Sequence, residues 1–123
     1  MIRLEKLSKR YGSQMAVEDL SLEVSAGELF GFLGPNGAGK TTTIKMMAGL
    51  LRPSSGRVFL AGHDLEREPE RAKAVLGFIP DRPFLYEKLS ASEFLRFVAG
   101  LYGIDGLEVR RRIDELLSYV ELS

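Results

Sequence analysis

Residues 34–41 read Gly34-Pro35-Asn36-Gly37-Ala38-Gly39-Lys40-Thr41, the order G-x-x-x-x-G-K-[ST]. This stretch constrains the chain more than any other, because each residue type in it has a physical job. Small residues let consecutive backbone N–H groups turn toward one point and form an anion-binding nest. Glycine permits backbone conformations that a β-carbon forbids. Lys40 sets a compact positive charge against β- and γ-phosphates, and Thr41 offers a hydroxyl to Mg2+, a hard cation that prefers oxygen. A helix starting here adds the partial positive charge of its N-terminus. The pattern carries this meaning only between a strand and a helix. Upstream, Glu28-Leu29-Phe30-Gly31-Phe32-Leu33 is an almost continuous apolar run, expected as a strand buried on both faces of a parallel sheet. Downstream, Ile44, Met47, Ala48 and Leu51 fall at i, i+3, i+4 and i+7, a helical stripe. A glycine-rich turn in an ordinary α/β unit is the rival reading, and it leaves Gly39-Lys40-Thr41 unexplained.

A chain of 123 residues suggests one domain. A domain of this size buries roughly two-thirds of its unfolded surface, and 45% of its residues are hydrophobic, so it can build a core. Lys plus Arg and Asp plus Glu number 17 each, which gives no global pull toward nucleic acid or an anionic membrane. No nucleic-acid partner is expected. Without cysteine there are no disulfides and no thiolate metal sites, and the single His63 cannot make a histidine cluster. There is no apolar run of membrane-spanning length. Met1-Ile2-Arg3-Leu4-Glu5 lacks the apolar segment of a signal peptide. These features lead to the expectation of a cytoplasmic protein.

Ile2 to Leu7, and then Ala16-Val17 with Leu20 to Val24, alternate apolar and polar residues, so antiparallel strands should precede the parallel one. Arg57-Val58-Phe59-Leu60 reads as a short strand between the turns Pro53-Ser54-Ser55-Gly56 and Ala61-Gly62-His63-Asp64. A charged helix is expected over about Glu68 to Val75, with Pro69 in its first turn. Leu76-Gly77-Phe78-Ile79 reads as another strand, ended by Pro80-Asp81-Arg82-Pro83. Ser90 and Glu93 have capping-box spacing at the head of a helix whose apolar face is Phe94, Leu95, Val98, Leu101 and Tyr102. Val109, Ile113, Leu116, Leu117 and Val120 give a last amphipathic helix. His63 is expected to be exposed in its turn. The charges from Asp64 to Lys73 and from Arg110 to Glu115 are expected on solvated helix faces.

Lys9-Arg10-Tyr11-Gly12, Ala16-Val17-Glu18-Asp19-Leu20-Ser21-Leu22, Gly27-Glu28, the loop from Gly34 through Thr42, and Pro53-Ser54-Ser55-Gly56 with Val58 and Gly62 together resemble the N-terminal half of an ATP-binding cassette (ABC) transporter's nucleotide-binding domain. The likeness covers essentially the whole chain, and the stretch through Leu101-Tyr102-Gly103-Ile104 looks like bacterial exporter-type cassettes. The resemblance implies an α/β P-loop NTPase fold: a mixed sheet with N-terminal antiparallel strands, incomplete at the C-terminal end. It implies a nucleotide-binding core over 1–88 and the start of a helical subdomain over 89–123. Its cofactors would be ATP and Mg2+. Gly34, Pro35, Asn36, Gly37, Ala38, Gly39, Lys40, Thr41 and Thr42 would hold phosphate, with Lys40 in a catalytic role and Thr41 on the metal. Tyr11 would stack on adenine, its aromatic face suiting any base; taken as a residue alone it could also be a loop tyrosine capping the core. Val17 would contact the nucleoside, or simply pack. Asp81 stands where many members carry glutamine, in a loop that contacts Mg2+ or the attacking water, so a catalytic and metal role is implied for it. Aspartate is shorter, anionic and accepts only, and as a residue between prolines Asp81 also suits a plain turn.

The resemblance further implies a second cassette, in a homodimer or heterodimer, and a transmembrane permease that would place the protein at the inner face of the membrane. The family's signature motif, its acidic strand-end motif with the catalytic glutamate, and its switch histidine find no match in these residues. The expectation is therefore a partial cassette that binds nucleotide but does not turn it over alone, with a bared sheet edge and apolar helix faces. A non-transport cassette ATPase and a nucleotide-binding module without turnover remain the alternatives.

Overall fold

The computed structural model describes residues 1–35, 37 and 39–122. They form two compact units, Met1–Phe78 and Ile79–Ser123. The boundary expected at 88 falls inside the second.

In the first unit, β1 (Ile2–Tyr11) and β2 (Gln14–Val24) make an antiparallel hairpin, with Tyr11 paired to Gln14 across the Gly12-Ser13 turn. β3 (Ser55–Leu60) pairs antiparallel with the other edge of β1, and the short β4 (His63–Asp64) pairs with β3, giving the order β2-β1-β3-β4. Side chains of a strand alternate with a period of two, yet Leu4 and Leu7, three apart, are both fully buried in the core. A bulge resolves the conflict. Lys6 adopts φ 44, and the pairing with β2 slips between Leu4 and Leu7. An extra residue of this kind lets the strand return to the same face.

Gly56 faces that bulge, where the pairing of β1 with β3 jumps between Glu5 and Ser8. A β-carbon at Gly56 would stand 2.3 Å from the Lys6 carbonyl oxygen and 2.6 Å from that of Glu5. Its φ of +87 is also one that side chains resist. The bulge and the glycine thus require each other.

Helix α1 (Lys40–Met47) packs onto this sheet. The core joins Leu4, Leu7, Val17, Met46, Val58 and Leu60 with Ala72 of α2 (Pro69–Ala74), which starts at the expected proline. The face α1 buries is Thr43 and Met46, followed by Ala48, while Ile44 of the expected stripe is exposed. Thr43 tolerates burial because its hydroxyl donates to the Gly39 carbonyl at 2.8 Å.

Two expected strands are not formed. Leu29 and Leu33 are almost wholly exposed, and Glu28-Leu33 is irregular, as is Leu76-Ile79. A buried parallel strand satisfies its backbone only between neighbouring strands. All strand pairs among the described residues are the antiparallel ones given above. Phe30 and Phe32 pack edge to face at 5.8 Å instead.

The charged run after β3 is not uniformly solvated either. Asp64 is buried, bonded by the Arg57 guanidinium, with Nε at 2.8 Å. It also accepts the backbone N–H groups of Glu66 at 2.9 Å and Arg67 at 3.3 Å. Burial pushes its carboxyl up, but the Glu66 amide, Arg57 and the Arg67 amide together hold it below the usual aspartate value. His63 is half-buried, its Nδ1 3.6 Å from Glu68.

In the second unit, the capping box heads α3 (Ala91–Leu101) as expected: Ser90 N donates to Glu93 Oε2 at 2.8 Å, and Glu93 N to Ser90 Oγ at 3.3 Å. Helix α4 (Gly106–Tyr119) buries Val109 and Ile113. Tyr86 packs on Phe94 and Phe97, with ring centroids 6.3 Å and 5.6 Å apart.

Three substitutions test this packing. Gly56→Ala should lower stability in urea unfolding by about 2–4 kcal/mol, the sum of overpacking and left-handed strain. Gly62→Ala has φ +83 but open space around it, so it should show only the strain, about 1–2 kcal/mol. Asp64→Asn should cost about 1–3 kcal/mol at neutral pH, typical of lost charged hydrogen bonds. Because the folded carboxyl is held below its ordinary value of 3.8, its stabilisation is present above pH ~4 and is lost as pH falls through the folded value. The gap between Asp64→Asn and the native chain should therefore close in acid, as read by unfolding midpoints across pH.

Candidate functional site

The glycine that precedes Lys40 is the N-cap of α1 in a left-handed conformation, φ 86 and ψ 7, and no side chain caps the helix. The first-turn amides of an α-helix have no partner within it, and no acidic residue occupies this first turn. The helix therefore opens with free donors and an unopposed positive dipole end. Gly39 is also pressed against the hairpin. A β-carbon on it would lie 2.5 Å from the Ala16 carbonyl oxygen and 3.1 Å from a Val17 methyl. No other residue fits there, so the close approach sets where the loop meets β2.

That approach makes a cleft of about 450 Å³. The hairpin lines it with Tyr11, Gln14, Met15 and Ala16, and the loop and helix with Gly37, Gly39, Lys40, Thr41 and Thr42. Tyr11 is half-exposed, with Lys9 Nζ 5.3 Å from its ring centre. Thr41 is exposed, and Lys40 and Thr42 are half-buried. The Lys40 ammonium donates to the Gly34 carbonyl, reaching back across the loop that carries it. The structure thus brings Tyr11 together with Gly37, Gly39, Lys40, Thr41 and Thr42. An aromatic face and a cluster of amides, hydroxyl groups and one ammonium share one cavity, a set that suits a flat apolar ring joined to a polyanion.

The remaining sequence candidates fall elsewhere. Val17 is buried in the core beneath Gly39 and does not line the cleft. Gly34 and Pro35 are exposed, and Gly34 meets the site through its carbonyl. Asn36 and Ala38 lie outside the described residues. Asp81 is exposed in a bend and belongs to the second unit. Gln14, Met15 and Ala16 were not singled out from sequence. The available signal was the Gly12-Ser13 turn, which sets Gln14 opposite Tyr11. For Mg2+ the fitting donor is the Thr41 hydroxyl, since this ion keeps several waters and usually takes one or two protein oxygens plus substrate phosphates.

No helix among the described residues is long and apolar enough to cross a membrane. The profile of the ABC transporter family matches residues 17–123. The chain is 40% identical over its whole length to the linearmycin resistance ATP-binding protein LnrL of Bacillus subtilis (strain 168), of which it spans 40%. A solved ATP-binding subunit of an ABC transporter superposes on 99% of the chain at 38% identity with a TM-score of 0.89, the match taking up 51% of that subunit. A dimeric bacterial ABC transporter cassette covers the whole chain at 25% identity with a TM-score of 0.82, and the match takes up 58% of that cassette. The chain therefore spans about two-fifths to three-fifths of the length of these three proteins. Its fold is part of the P-loop NTPase cassette, and the chain belongs to the ABC transporter family.

Proposed function

We propose that this chain is the nucleotide-binding part of an ABC transporter ATP-binding subunit and that its cleft takes MgATP. The observation that carries the proposal is the shared cleft: Tyr11 at the tip of the hairpin and the Lys40–Thr42 helix start line one cavity. In this reading Tyr11 stacks on adenine, and the loop from Gly34 to Thr42, Asn36 and Ala38 included, receives the phosphates. Lys40 leaves the Gly34 carbonyl for the β- and γ-phosphates, and Thr41 joins Mg2+. Val17 shapes the site from below by holding Gly39 in place. Asp81 is proposed, with Lys40, to be catalytic and to act on Mg2+ or the attacking water.

In this reading the nucleotide-binding core spans 1–88 and the start of a helical subdomain 89–123. The full protein hydrolyses ATP as a dimer with a second cassette and drives a transmembrane permease from the cytoplasmic face. Support for pairing comes from the dimeric cassette that superposes on the chain. Relatives about two to two and a half times as long support a further part to the sheet. That part would flank Glu28-Leu33 and Leu76-Ile79, the two apolar runs that lack strand neighbours here.

Calorimetric titration of the chain with MgATP and with magnesium triphosphate separates the two halves of the cleft. Lys40→Ala should weaken both ligands by about 10- to 100-fold, the loss of roughly 1.5–3 kcal/mol from a charged contact. Tyr11→Ala should cost about 1–3 kcal/mol of ATP binding, the range of base–aromatic stacking, and leave triphosphate unchanged. Equal effects of Tyr11→Ala on the two ligands would remove the adenine assignment. An unchanged affinity in Lys40→Ala would remove the cradle.

A further inference from the structure

The first unit holds a second cavity, of about 260 Å³, at the opposite end of α1 from the phosphate loop. Its floor is apolar: Met46 and Val58 are buried, and Leu51 and Leu65 are packed against the core. Gly49 and Gly56 contribute no side chain, which leaves the space open. Charge is confined to the rim, where Arg52, Arg57, Lys73 and Glu66 stand.

Two of the three cations are already committed. Arg52 pairs with Glu66 at 2.7 Å, and Arg57 is held by buried Asp64. The Lys73 ammonium makes no hydrogen bond or ion pair among the described residues. Its stem lies along Gly49, with Cε only 2.8 Å and Nζ 3.6 Å from where a β-carbon there would be. The rim thus carries one ammonium with no carboxylate partner among the described residues, over an apolar floor.

We propose that this cavity is a binding site for a small amphiphilic carboxylate, its apolar body on Met46, Leu51, Val58 and Leu65 and its carboxylate on Lys73. The volume lies just below the common range for ligand pockets, about 300–1,000 Å³, which suits a molecule the size of a short fatty acid rather than a nucleotide. A neutral apolar ligand would leave Lys73 unanswered. A phosphate would find no cluster of backbone donors here, since the first-turn amides of α1 lie at its other end.

Octanoate is the probe. Titrated into the 15N-labelled chain and followed by amide shifts, it should saturate at Gly49, Val58 and Leu65. Lys73→Met keeps the stem and removes the charge; it should weaken octanoate by about tenfold, the value of one charge-assisted contact, and bring it level with octanol. Lys88→Met, in the second unit, should change nothing. Three results would each overturn the proposal: no saturable shift at these amides, octanoate shifts confined to other surfaces, or Lys73→Met binding octanoate as the native chain does.

Discussion

The site depends on one contact between a backbone carbonyl and a glycine. The Ala16 oxygen occupies the space that a β-carbon of residue 39 would need. Because Gly39 yields that space, the loop and the hairpin touch, and α1 leaves the contact in the direction that sends Thr43 and Met46 into the core. The Gly39 carbonyl then serves two donors of Thr43, its amide at 2.9 Å and its hydroxyl at 2.8 Å. One residue therefore joins three levels: a left-handed backbone, a helix start and the seam between sheet and helix. Tyr11 comes to the cleft only because β2 is pinned at Ala16 and carries the hairpin tip with it.

A cavity shared between a hairpin and a distant loop exists only while the core beneath it is packed. Leu4, Leu7, Val17 and Met46 hold the two walls together, so any ligand that touches both walls binds the packed state and not the unfolded one. Such a ligand stabilises the unit by mass action. Within the first unit the Lys40 ammonium also donates to the Gly34 carbonyl, which ties the helix start to the beginning of the loop.

What could be read from sequence was what short-range chemistry decides. The hairpin strands, the glycine loop opening a helix, Pro69 at the start of α2 and the reciprocal Ser90–Glu93 cap each depend on neighbours a few residues away. The failures are long-range. Glu28-Leu33 and Leu76-Ile79 have strand composition, but a strand exists only in a ladder, and a sequence does not say whether the partner strands are there. Of the α1 stripe, Met47 and Leu51 pack against the core and Ala48 is buried, while the apolar periodicity passes over Thr43, whose hydroxyl is satisfied by the turn below it. Asp64 looked like one charge in a polar run. Its burial follows from Arg57, seven residues earlier and folded back by the β3–β4 turn. In the cleft, Tyr11 and the loop were legible as motif residues, whereas Gln14, Met15 and Ala16 became visible only once the hairpin register was known.

The bulge at Lys6 and the irregular outer strand also bear on how the chain is made. β2 is an edge strand, but Asp19 adopts φ 45 within it and its amide turns to the Ser8 hydroxyl at 2.9 Å. The opposite edge is only the two residues of β4. Neither edge offers a long flat template for another strand. β1 and β2 leave the ribosome before β3, and hairpins close in microseconds, against a synthesis rate of about 5–20 residues per second. The two hairpin strands can thus pair as soon as they emerge and wait for β3 with the outer edge of β2 already blunted.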